Sequence, residues 1–315
     1  MINQVPLVSI LIPLFNKEAF IESTIASALD QVHEYIEVLV IDDGSTDGSL
    51  ARVLAFTDPR LLVRSRENLG GNSTRNELIE WAKGEYIQFL DADDLLDPQK
   101  ISRQLAAFWS GVDVVFCGYF NHAADGSLGA GTPPPDPARL VASLAGGAGI
   151  TVSGLYRSEA LRSAGGFDAT LDASQEYELH LRSVLGGYWR SIAVVPEFLA
   201  TRRETVGSIT SDDLRVYRAK ADALRSLLPL ARNQSETEHL ANALVNAGRH
   251  LARLGERSEA ASVSADALVA SPVGSASALP RRMRWLRWRP AMLARWESVE
   301  TRVRERVTIK HRRGG

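Results

Sequence analysis

Gly84-Glu85-Tyr86-Ile87-Gln88-Phe89-Leu90-Asp91-Ala92-Asp93-Asp94 is an apolar, strand-like run that stops in three carboxylates within four residues. Buried charge is costly unless paired or metal-bound, so acids at the mouth of a core strand either face water or hold a cation. The Asp-x-Asp spacing suits a cation, and the chemistry is expected at this junction.

The segments on either side repeat one theme. Val8 to Leu14 (VSILIPL) is a short apolar run, followed by Asn16-Lys17-Glu18 and a helical pattern through Ile21, Ile25, Ala28 and Leu29. Glu37 to Ile41 is a second buried run, closed by Asp42-Asp43-Gly44-Ser45-Thr46-Asp47, which is turn chemistry merging into a helix start. Leu61 to Arg66 reads as a third strand, Asn68 to Asn72 as a loop and Ser73 to Lys83 as a helix. Past the acids, Pro98 opens a helix carrying Ile101, Leu105 and Phe108, and Val112 to Phe120 is a fifth strand.

Strands apolar on both faces, alternating with helices, predict an α/β fold built on a mainly parallel, Rossmann-like sheet. Ligands of such sheets bind outside the carboxyl ends of the strands, so the acid and turn clusters should converge on one crevice. His122 to Pro137, rich in Gly and Pro, reads as a loop and a candidate lid. Gly165-Gly166-Phe167-Asp168, a helix near Glu176 to Leu185 and a strand from Tyr188 to Val195 follow. From about Asp212 strand patterns vanish and Ala, Leu and Arg take over with helical periodicity, which places a domain boundary near 210.

A chain of 315 residues holds one large or two modest domains without needing staples. Its single cysteine, Cys117, excludes an internal disulfide and suits a reducing cytosol. The first residues lack a secretory pattern, and the least charged stretch, Leu140 to Leu155, is interrupted by four glycines and too short for a membrane span. A cytoplasmic protein is expected. The near-neutral total hides an asymmetry, because residues 281–315 carry 12 Lys/Arg against 3 Asp/Glu and leave an acidic body. That body argues against nucleic acid as the main ligand, whereas the basic end invites an anionic surface.

The order of these signals resembles a family-2 glycosyltransferase with the GT-A fold. The matching pieces are VSILIPLFNK (8–17), EVLVIDDGSTD (37–47), NLGGNSTRNELIEWAKGEYIQFLDADD (68–94), GGFD (165–168) and QEYELHLR (175–182), within roughly residues 5–210. The resemblance implies an inverting, metal-dependent transfer of a sugar from a nucleotide sugar, a UDP-sugar above all, to an acceptor hydroxyl, in surface polysaccharide or glycolipid synthesis.

It also implies site residues. Asp93 corresponds to the principal contact for Mn²⁺ or Mg²⁺, and Asp91 to a contact for metal or donor ribose. Asp43 would accept a hydrogen bond from the base, with Pro13 and Phe15 lining that pocket. For Arg75 the residue chemistry speaks separately: a cation near a helix start does not complement the dipole, so a phosphate partner is expected. Asp94 reads as a cap or as support for its neighbours, and Glu176 is the candidate base.

Two departures from the family pattern stand out. The base position reads Gln175-Glu176 where an acid-Asp pair is common. The stretch Phe198 to Ser208 lacks the histidine that many relatives carry, leaving Arg202 or Arg203 as candidates for the diphosphate. These departures motivate an alternative, a catalytically silent nucleotide-sugar-binding or scaffold protein. A sugar nucleotidyltransferase would need a Gly-rich pyrophosphate loop, which Asn16-Lys17-Glu18 does not offer. Glu178 is expected to be solvated, and His180 to pack or touch the acceptor.

The expected domains are therefore a GT-A domain over 1–210, a helical region over 211–279 and a basic amphipathic tail over 280–315. Within 241–274, Leu244, Gly248, Leu251, Gly255, Ala260, Ala267 and Pro272 resemble one tetratricopeptide repeat, read as a helical hairpin. In the tail, Trp285, Trp288, Met292, Trp296, Val299, Val303 and Val307 recur at three- or four-residue steps among arginines. Such a helix, through 281–308, either lies on an anionic membrane, making the protein peripheral on the inner face of the plasma membrane, or packs on the acidic body. The expected partners are the nucleotide sugar, a glycan or lipid-linked glycan acceptor and a second copy of the chain.

Overall fold

A computed structural model describes residues 5–123, 127–205 and 212–271. The chain divides into two compact units, Met1–Ser211 and Asp212–Gly315.

The first unit begins β1 (Val8–Leu14), α1 (Ile21–Leu29), β2 (Ile36–Asp42), α2 (Ser49–Leu54), β3 (Leu61–Ser65), α3 (Gly71–Trp81), β4 (Tyr86–Phe89). It continues β5 (Leu95–Leu96), α4 (Lys100–Ala106), β6 (Val114–His122), β7 (Leu128–Thr132), α5 (Leu140–Ala145), β8 (Gly154–Arg157), α6 (Ser158–Ser163), α7 (Gln175–Leu185), β9 (Ile192–Arg203). The strands form one sheet in the order β3-β2-β1-β4-β8-β6-β9-β5, with β7 pairing β6.

Strands β1 and β2 are buried along almost their whole length, as their unbroken apolar runs require of a sheet covered on both faces. The parallel pairs β1–β2, β2–β3 and β1–β4 are set in register by Leu14 against Asp42, Asp42 against Ser65 and Leu11 against Phe89. Their carboxyl ends therefore share one edge. The segments that follow β1, β2, β3 and β4 all leave the sheet there, and they carry Phe15, Asp43, Asn68 and Asp91. Beyond β4 the sheet is mixed, since β8 is antiparallel to both β4 and β6 while β9 is parallel to β6.

Two local expectations are corrected. The segment 122–137 is no simple loop, because β7 returns antiparallel along β6 with His122 opposite Leu128. The last long strand runs to Arg203 and does not stop near Val195. Pro196 interrupts its pattern, and the β6–β9 register shifts between Phe116–Val194 and Gly118–Phe198 to let the proline through.

The second unit is helical: α8 (Asp213–Leu227), α9 (Gln234–Arg253) and α10 (Arg257–Ala270). Asp212 and Asn233 cap α8 and α9 by accepting from the amides of Arg215 and Glu236. Leu244, Leu251, Ala260 and Ala267 are buried in the α9–α10 hairpin. Gly248 lets the helices touch, because a Cβ there would lie 2.9 Å from Ser264 Oγ and 3.0 Å from the Ala260 carbonyl. Pro272 and the basic tail 281–308 fall outside the described residues. Among the described residues no helix is long and apolar enough to cross a membrane.

Candidate active site at the carboxyl edge of the sheet

The first wall is made by the segments after β1 and β2, which are stitched together. Asn16, held at φ 50°, donates its amide to Ser45 Oγ (3.0 Å), and its Oδ1 accepts from the Thr46 amide (2.8 Å). The Lys17 amide donates to Ser49 Oγ (2.8 Å) and the Glu18 amide to Asp47 (3.1 Å). Pro13, near the end of β1, is half-buried and Phe15 is 46% exposed, so this lattice presents an aromatic face to solvent beside Asp43. A left-handed non-glycine residue at such a place is the kind of local strain that a surrounding network holds in check.

Asp43 is buried and engaged. Its two oxygens accept from the amides of Leu69 and Gly70 (2.9 Å each), and Arg66 Nη1 lies 2.6 Å from Oδ1. Three donors on a carboxylate with about four lone-pair directions leave room for one more. Asp43 therefore shapes the 68–70 loop whether or not it also meets a ligand.

The acids after β4 form a turn closed by the Asp94 amide donating to the Asp91 carbonyl (2.9 Å). Their side chains diverge. Asp91 accepts from Arg75 Nη2 at 2.6 Å. Asp93 Oδ2 meets Lys17 Nζ at 2.5 Å and accepts from the Thr205 hydroxyl at 2.9 Å, and Lys17 also donates to that hydroxyl (2.9 Å). Asp94 turns inward, where it accepts from the Arg203 amide (3.0 Å). Burial, aided by Asp91 and Asp93, pushes its carboxyl well above the usual carboxylate range. It supports the turn from beneath.

Arg203 is likewise structural and is not available to a diphosphate. Its Nε donates to the Asp93 carbonyl, while Nη1 and Nη2 donate to the hydroxyls of Ser23 and Thr24 on α1 (2.9 Å each). The Thr24 hydroxyl in turn sits 3.0 Å from the carbonyls of Ala92 and Asp94. The acid turn is thus clamped between α1 and the end of β9.

The opposite wall hangs from α3. Asn72 Nδ2 lies 2.9 Å from the carbonyls of Asp168 and Leu171, and one turn later Asn76 exchanges two hydrogen bonds of 2.8 Å with the Phe167 backbone. Between these asparagines stands Arg75, its guanidinium 5.5 Å from the Phe167 ring centroid. Burial alone would lower the Arg75 pKa, but the fields of Asp91, Glu176 and Asp93 hold it above the ordinary arginine range. Arg75 is therefore a fixed cation facing acids from both walls. Its buried Nε has no hydrogen-bond partner among the described residues.

Glu176 occupies the first turn of α7 and is half-buried, behind Ser174 at φ 58°. Glu178, expected in solvent, is instead buried and paired with Arg182 (2.6 Å), whose guanidinium also takes the carbonyls of Ala164 and Gly166. Those loop carbonyls draw Arg182 inward, and the half-buried cation is paired by Glu178. His180 is a packing residue, bonded to the Tyr156 hydroxyl (2.9 Å) and ringed by Phe116 and Trp189.

Could these groups hold a cation? Among the described residues no three His, Cys, Asp or Glu side chains gather for one. Asp91 and Asp93 alone supply two hard carboxylates, and the unpartnered Arg75 Nε beside them suits an anionic oxygen. Mg²⁺ and similar ions typically bind through one or two carboxylates plus substrate phosphates, and this donor set fits that mode.

Residues 9–137 match the profile described as glycosyl transferase family 2. The putative teichuronic acid biosynthesis glycosyltransferase TuaG of Bacillus subtilis is 37% identical over 131 residues, covering 40% of this chain and 52% of that protein. The Escherichia coli UDP-Glc:alpha-D-GlcNAc-diphosphoundecaprenol beta-1,3-glucosyltransferase WfgD is 38% identical over 101 residues, 32% of this chain and 40% of its own. These matches span between a third and about half of the curated relatives' length. Among solved structures, S. aureus TarS 1–349 in complex with UDP-GlcNAc superposes with a TM-score of 0.69 at 20% identity, covering 95% of this chain and 91% of that one. The mannosyltransferase PcManGT of Pyrobaculum calidifontis, in complex with GDP-Man and Mn²⁺, gives 0.62 at 17% identity, with 95% and 87% covered. The fold is GT-A.

Proposed function

Because its segment 9–137 belongs to glycosyl transferase family 2, we propose that this protein is an inverting glycosyltransferase that moves a sugar from a nucleotide donor, a UDP-sugar, to an acceptor hydroxyl in surface polysaccharide or glycolipid assembly. One observation carries the reading: Arg75 stands within the fields of Asp91, Asp93 and Glu176 together, so a donor-side acid pair and a lone carboxylate share one crevice. The named substrates of WfgD and the UDP-GlcNAc bound to TarS support the choice of donor and of a lipid-linked acceptor.

In this reading Pro13 and Phe15 line the base pocket, and Asp43 presents its remaining lone pair there. Asp91 and Asp93 hold a divalent cation, Mn²⁺ or Mg²⁺, which when bound would neutralise charge on the departing diphosphate. Arg75 meets a phosphate oxygen. Glu176 takes the acceptor's proton as its oxygen attacks the anomeric carbon from the face opposite the leaving group, which inverts that centre. The glutamate side chain reaches one methylene further than an aspartate would, from the first turn of α7.

The test is a panel of UDP- and GDP-sugars with Mn²⁺ or Mg²⁺, read for donor binding, hydrolysis and transfer. Asp93→Asn should abolish metal-assisted donor binding. Glu176→Gln should retain binding while transfer falls by about 10²–10⁴. Donor binding with full transfer in Glu176→Gln removes the base assignment. Failure of every donor, with Asp93→Asn inert, overturns the enzyme and leaves a scaffold.

A further inference from the structure

Lys17 has no part in the site as read from sequence, yet it makes the shortest contact to its central acid. We propose that Lys17 is a diphosphate-binding residue held in reserve on Asp93, and that its transfer from acid to phosphate couples donor binding to cation binding. The proposal deepens the glycosyltransferase reading and rests on it.

Charge balance is the first argument. Asp91 is neutralised by Arg75 at 2.6 Å and Asp93 by Lys17 at 2.5 Å. A divalent cation arriving alone would leave the crevice strongly positive, with both basic groups still inside. Each diphosphate phosphorus in a sugar nucleotide carries about one negative charge, as in a nucleic acid backbone. Cation and diphosphate together restore neutrality, and each charge stays paired locally if Lys17 passes from Asp93 to the phosphate as the cation takes the acid.

Reach is the second argument. Lysine is a compact charge on a flexible stem, able to exchange one oxygen for another. The Lys17 backbone is fixed, its amide on Ser49 and its carbonyl accepting from the amides of Phe20 and Ile21. Only the side chain is free to swing. Thr205, bonded to both Lys17 and Asp93, gives the parked ammonium a second acceptor. Arg75 is less able to move, being half-buried, paired with Asp91 and set over the Phe167 ring.

Linkage makes this measurable. Lys17 competes with the cation for Asp93 when no nucleotide is present, and joins the nucleotide when it is. Each ligand therefore raises the affinity for the other by the same factor. Mn²⁺ affinity would be measured by calorimetry and by the paramagnetic signal of free Mn²⁺, with and without saturating UDP, allowing for the Mn–UDP complex formed in solution. Lys17→Met should bind Mn²⁺ alone more tightly and Mn–UDP more weakly, cutting the coupling factor by about tenfold, within the usual range of such couplings. Lys17→Arg should keep most of the coupling, and uridine, which lacks phosphates, should bind all three proteins alike.

A coupling factor in a folded Lys17→Met within twofold of wild type overturns the inference, as does an equal loss of uridine binding. If Lys17→Met fails to fold, Thr205→Val takes its place, expected to weaken the parked pair and tighten Mn²⁺ alone, with no change overturning the proposal. Wild-type protein that binds neither Mn²⁺ nor UDP, or binds both regardless of Asp93→Asn, overturns the glycosyltransferase reading itself, a result distinct from failure of Lys17→Met alone.

Discussion

Replacing His180 should uncouple the stability of the first unit from mild acid. His180 is 1% exposed, its Nε2 2.9 Å from the Tyr156 hydroxyl, and burial drives its pKa down to about 3 from an ordinary 6.5. A folded pKa below the unfolded one means that the unfolded chain binds the proton more readily. Stability is thus complete above pH 6.5 and declines as pH falls toward the folded value. At pH 5 the gap from 6.5 corresponds to about 2 kcal/mol, at about 1.4 kcal/mol per unit. The titratable groups that act on the partner of His180, Tyr156, are Glu176 and Cys117.

The assay is urea unfolding at pH 7 and pH 5, followed by the fluorescence of Trp189, whose ring lies 5.4 Å from His180. His180→Gln preserves a polar partner for Tyr156 without titrating. It should cost stability at pH 7 but lose about 2 kcal/mol less than wild type between the two pH values. An equal loss in both proteins would refute the argument. Because Glu176 sits one turn before His180 on α7, wild-type transfer activity should also fall over this range more than that of the variant.

Three further outcomes follow from the packing. Gly166→Ala should destabilise the first unit by about 2 kcal/mol in urea titration, because φ is +68° and the new Cβ would lie 2.5 Å from Asn76 Oδ1. Lys100, fully buried between the side-chain carbonyls of Gln88 and Gln104, has its pKa lowered to about 8 by burial. Its contribution should rise as pH climbs from about 8 to the unfolded value near 10.5, and a Lys100→Met variant should lack that rise. Opposing ionisation of Cys117, raised by burial, is removed by making the comparison in Cys117→Ala. Arg203→Met should weaken donor binding through loss of the turn clamp, with a melting temperature reduced by several degrees in calorimetry.

Much of this was legible because hydrophobic runs and turn acids are local signals. VSILIPL, EVLVI and YIQFL are mostly apolar stretches, each with a single polar residue, and read as core strands that end where polar residues must leave the sheet. What could not be read is whatever depends on partners far apart in the chain. Thr205 is 112 residues from Asp93, and nothing around it marks a contact. Lys17 was visible as a basic residue after a strand, which was the one available hint. Glu178 looked solvated because its burial follows from the carbonyls of Ala164 and Gly166, which no helical periodicity encodes. Arg202 or Arg203 was expected on a diphosphate or in solvent, and Arg203 is instead taken by partners on α1 for a similar reason.

The asparagines of α3 carry a consequence for how this chain can change over time. Asn72 and Asn76 hang the 167–171 segment, and Arg75 between them holds Asp91, so one short helix gauges the separation of the two walls. A single inserted or deleted residue there turns the helix by about 100° and misaligns both walls at once. Variation in length among descendants of this sequence should therefore spare 71–81.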